Sequence, residues 1–90
     1  MTKSELLGIM DKAISGDGNQ ARAMWGICNS IENVAKENGE TAIKDKFYQL
    51  GNCWMLLTGD LDNVTPAMQE AVRRDIKNDT LSAVGSVLGW

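Results

Sequence analysis

The chain has 90 residues, 43% hydrophobic and 23% charged, with a net charge of −3 and no histidine. That length predicts one helical domain over residues 1–90 with a thin core, and the composition argues against a disordered chain. The acidic balance disfavours binding to a phosphate backbone, and the missing histidine removes the commonest acid–base catalyst and metal ligand.

The first predicted element is "TKSELLGIMDKAIS". Thr2 and Glu5 have the spacing of a capping box, and Leu6, Leu7, Ile9, Met10, Ala13 and Ile14 share one face at about 100° per residue. Gly16 stops it, and "GDGN" reads as a loop. A second helix is expected from about Gln20 to Asn38. Its apolar arc (Ala21, Ala23, Met24, Ile27, Cys28, Ile31, Val34 and Ala35) is wide enough to touch two neighbours, and Trp25 lies at the edge of that arc. Gly39 suits the left-handed position after its end.

A third helix starts near Thr41 and reaches about residue 58. Ile43, Phe47, Leu50, Trp54 and Leu57 make the sharpest helical stripe in the sequence, while Tyr48 and Met55 sit together off it. Thr65-Pro66 opens a fourth helix, with Thr as N-cap, Pro in the first turn, and Met68, Ala71, Val72 and Ile76 on its apolar side. "KNDT" at 77–80 holds poor helix formers, so a break is expected there, followed by a short final helix aligning Leu81, Val84 and Leu88. No stretch alternates apolar and polar residues as a strand would. The expected fold is all-α: a compact bundle of four to five short helices around a central antiparallel hairpin, about 20–38 and 41–58.

Within that hairpin, "MWGIC" (24–28) and "GNCWM" (51–55) mirror one another. Reflection about the turn sets Trp25 level with Trp54, Met24 with Met55, Gly26 with Cys53 and Gly51 with Cys28. Small residues at matched heights would let the two helices approach closely. Cys28 and Cys53 fall on or near apolar faces, and free buried thiols packing as small hydrophobes are the better expectation than a disulfide.

Few functional classes survive this composition. Two cysteines without histidine do not make a zinc site of the usual Cys/His kind. "GDLDNVTP" offers Asp60, Asp62 and Asn63, but Val64, Thr65 and Ala71 stand where a calcium loop needs a ligand, a glycine and a glutamate. With no phosphate loop and no nucleophile elbow, neither a catalytic residue nor a cofactor is expected. Arg73, Arg74 and Lys77 form a small basic cluster that would contact phosphate or an acidic partner, although Glu70 stands close enough to pair locally. A helix-turn-helix regulator at residues 34–50 has the right spacing at Ala35 and Gly39, but it needs a buried residue at Asp45, and Lys44 and Lys46 supply little basic face. A small-molecule site lined by Met24, Trp25, Trp54 and Met55 is a further alternative.

What remains is a non-enzymatic protein-binding module, an adaptor, inhibitor or regulatory subunit that self-associates as a homodimer. Its interface candidates are Trp25, Tyr48, Met55 and Trp90, residue types enriched where proteins meet. The N-terminus mixes charged with apolar residues and has no cleavage-type signal, and no apolar run is long enough for a bilayer, so a cytoplasmic location is expected.

Overall fold

The computed structural model describes residues 1–90 and contains four helices: α1 (Lys3–Ile14), α2 (Gly18–Glu37), α3 (Thr41–Met55) and α4 (Pro66–Leu88). Each helix packs on its neighbours in sequence, and α4 returns to α1, so the four close a ring around one core. The core is built from Leu6, Met10, Met24, Cys28, Phe47 and Trp54, with smaller contributions from every helix. The architecture is the expected all-α bundle, with α2 and α3 as its central hairpin. No helix is long and apolar enough to cross a membrane.

The helix ends follow local chemistry. The Thr2 hydroxyl accepts from the Glu5 amide, and the Glu5 carboxylate accepts from the Thr2 amide, completing the capping box. Thr65 caps α4 by accepting from the Met68 amide, with Pro66 in the first turn. Gly39 takes a left-handed φ of 72°, and the Glu40 amide donates to the Ala35 carbonyl, ending α2 in a tight turn. One boundary differs from the sequence expectation. The second half of the "GDGN" stretch is helix, because Asp17 accepts from the Asn19 and Gln20 amides and so starts α2 at Gly18.

The α3 stripe matches expectation, with Phe47, Leu50, Trp54 and Leu57 buried. Regular helix ends at Met55 rather than near 58. The Leu56, Leu57 and Thr58 amides each reach a carbonyl three residues back, tightening the chain into a turn.

The largest correction is in α4, which runs unbroken through "KNDT" to Leu88. Ile76, Thr80 and Val84, spaced by four, form its only buried stripe. Thr80 is fully buried, and its hydroxyl accepts a 3.0 Å hydrogen bond from the Trp54 indole. Gln69 also donates to the Leu56 carbonyl, and Lys77 reaches Asp11 on α1 at 2.5 Å. These contacts override the weak helix propensity of residues 77–80. Three expectations about the apolar side of α4 fail with the break: Met68 is 44% exposed, Leu88 57% exposed, and Ala71 also faces solvent. On α2, Ala23 and Val34 likewise face solvent rather than the core.

Candidate protein-interaction site

Gly51 and Cys28 lie against each other as the mirrored sequences predict. A Cβ added at Gly51 would sit 3.5 Å from the Cys28 Cβ and 3.4 Å from Trp25 Cδ1. Both residues stand eleven positions from the turn, so α2 and α3 run side by side over most of their length. A helix-turn-helix instead splays its helices at a steep angle. Lys44 lies 3.5 Å from Asp45, which is exposed rather than buried. The other half of the mirror fails, since a Cβ at Gly26 would meet nothing within 4 Å, and Gly26 points away from α3. The tryptophans differ as well. Trp54 is fully buried and bonded to α4, whereas Trp25 lies half-buried over Gly51.

Two of the interface candidates flank that contact. Tyr48 and Met55 are seven residues apart, within about 20° on the α3 wheel, and Gly51 lies between them in sequence. Tyr48 is 56% exposed and Met55 half-buried. Trp25, Tyr48 and Met55 therefore border one seam between α2 and α3.

Trp90 lies elsewhere. Gly89 turns left-handed after α4, and the Gly89 and Trp90 amides both donate to the Gly85 carbonyl, folding Trp90 back over Gly85. Val87, Leu88 and Trp90 are each more than 40% exposed, concentrating apolar surface at this end of α4. A cleft of about 380 Å³ runs between α3 and α4, lined on the α3 wall by Ile43, Lys46 and Phe47 and on the α4 wall by Asp79, Ala83 and Val87. A second, of about 450 Å³, lies between α4 and the start of α1, bordered by Lys3, Leu81 and Trp90. A smaller one is bordered by Cys53, Val72 and Ile76. None of the three is lined by Met24, Trp25, Trp54 or Met55; Met24 and Trp54 are packed in the core instead.

The basic cluster is dispersed. Arg73 leans toward Glu70 at 3.9 Å, with its Nε buried and unpaired, while Lys77 is taken by Asp11. Only Arg74 stays exposed without an ion pair.

Both thiols are free. Burial, reinforced by the charge of Cys53, pushes Cys28 up to about 12. Burial and then Asp79 raise Cys53, partly offset by Lys46. Thiolates are thus disfavoured at both positions near neutral pH. No group of three Cys, Asp or Glu side chains converges as a metal-binding set.

Sequence reasoning missed a junction at the opposite end of the hairpin. Gly18 packs so closely on the turn after α3 that an added Cβ would lie 2.4 Å from the Thr58 carbonyl oxygen. One turn along α2, Arg22 grips Asp60 with two parallel hydrogen bonds and also reaches Asn19. The paired guanidinium holds the Asp60 carboxyl below its ordinary range. Both partners of this junction are distant in sequence, and no local pattern around Gly18 or Arg22 signals it.

No protein-family model matches this chain, and no curated protein or solved structure matches it significantly.

Proposed function

We propose that this chain is a small non-enzymatic protein-binding module that self-associates, acting as an adaptor, inhibitor or regulatory subunit in a reducing compartment such as the cytoplasm. The observation that supports it is the grouping of large apolar side chains left to solvent. Val87, Leu88 and Trp90 fall within four residues beside an apolar cleft, and Tyr48 stands out on α3. Single exposed hydrophobics are ordinary on any monomer, whereas a contiguous group beside a groove is the usual mark of an interaction surface. Tyr and Trp are also the side chains that most often anchor an interface.

Light scattering on the purified chain, run beside affinity capture from lysate, tests the proposal. A mass above the 9.8 kDa monomer, or a retained partner lost on Tyr48→Ala or Trp90→Ala with helicity intact, is the expected result. A strict monomer that retains nothing would sink it.

A further inference from the structure

We propose that a second copy of this chain docks on the outer face of the C-terminal half of α4, the two α4 helices crossing at Ser82 and Ser86 about a two-fold axis. The proposal rests on the self-association put forward above and assigns it a surface. Ser82 and Ser86 line both the α3–α4 cleft and the α1–α4 cleft, so they form a low ridge with a groove on either side. They are four residues apart, on the row of side chains that interdigitates with the same row of a second helix in the commonest helix–helix packing. Small side chains on that row let the two axes come close. The Ser86 hydroxyl already donates to the Ser82 carbonyl at 3.0 Å, which leaves the Ser82 hydroxyl to donate across the contact. On either side, the grooves offer Val87 and Ile43, or Leu81 and Trp90, to the flanks of the arriving helix.

The occupant is indicated by charge. Lys46 and Asp79 stand on opposite walls of the α3–α4 cleft, and neither has an ion-pair partner within the chain. In the proposed dimer Lys46 pairs with Asp79 of the partner subunit, and by the two-fold symmetry Asp79 pairs with the partner's Lys46. The α3–α4 cleft carries one charge of each sign and so complements a second copy of itself, with Lys3 the one charged residue lining the other groove; a strongly acidic or basic partner would match only half of that cleft.

The test is sedimentation velocity on the full chain across a concentration series, with circular dichroism confirming that each variant stays helical. The wild-type chain should dimerise, and Val87→Asp and Ser86→Arg should each weaken the dimer at least tenfold. Lys46→Glu and Asp79→Lys should each weaken it severalfold. Mixing those two single variants should restore association, because the mixed dimer recovers both pairs while each homodimer sets like charges together. The docking face is overturned if Val87→Asp and Ser86→Arg leave the dimer intact. If Tyr48→Ala then dissociates it, self-association survives on the α2–α3 seam. Failure of the mixed pair to outcompete the separate variants overturns the two-fold arrangement. A wild-type chain that stays monomeric at high concentration overturns both the docking face and self-association.

Discussion

Helices α2 and α4 are of similar length, 20 and 23 residues, yet they are held in different ways. Helix α2 packs along a wide arc: Ala21, Met24, Cys28 and Ala35 are buried, and Trp25, Ile27 and Ile31 pack partly beneath its neighbours. Helix α4 buries one stripe of three residues and is pinned by individual polar contacts, Thr80 to Trp54, Gln69 to Leu56 and Lys77 to Asp11. A wide apolar arc shares the work among many interchangeable contacts. A narrow one leaves each remaining contact decisive, and it leaves most of the helix surface uncovered.

The largest break in this comparison should come at Trp54, which lies in the common core and bonds to α4. Trp54→Ala removes a fully buried side chain and the donor to Thr80, and should cost about 3–5 kcal/mol in chemical denaturation. Gly18→Ala comes next. Its methyl would meet the Thr58 carbonyl, which is backbone and moves little, so a loss of about 1–3 kcal/mol is expected. Gly26→Ala, in open space on the same helix, should instead stabilise by about 0.5–1 kcal/mol; equal effects at the two glycines would refute the close contact.

Thr80→Val keeps the shape of the stripe but strands the Trp54 indole N–H, at about 1–3 kcal/mol. Hydrogen exchange should then quicken in α4 before α2 if α4 depends on single contacts. The smallest effect near neutral pH is that of Cys28. Its folded value is raised to about 12 from an ordinary value near 9. The folded state therefore favours the neutral thiol, and that contribution is full below pH 9 and lost as pH rises toward 12. Melting temperature should fall more steeply over that window in the wild type than in Cys28→Ala. Parallel slopes would show that burial of this thiol is not what weakens the protein at high pH.

Much of the fold was legible because its signals are local. The Thr2–Glu5 box, Thr65-Pro66, Gly39 and the α3 stripe each depend on residues within a turn or two. The continuity of α4 was hidden because the partner of Thr80 is 26 residues away. The Arg22–Asp60 grip spans 38 residues, and nothing near Gly18 announces the Thr58 carbonyl. The interaction candidates were legible as residue types but not as surfaces. Trp25, Tyr48 and Met55 border one seam, Trp90 stands apart, and the exposure of Met68 and Leu88 depends on where α4 comes to rest.

The ring of helices also carries a kinetic consequence. Three of its four packed pairs join elements adjacent in the chain, and only α1 with α4 brings distant segments together. Most native contacts thus require only short loops to close, which places the chain among fast folders, on the microsecond-to-millisecond scale. The α2–α3 pair has the turn and the shared apolar arc to form first. Docking of α4 on α1 closes the longest loop and is expected to come after the rate-limiting barrier. Destabilising Lys77 or Asp11 should therefore speed unfolding and leave the folding rate nearly unchanged, while changes at Phe47 or Met24 slow folding itself.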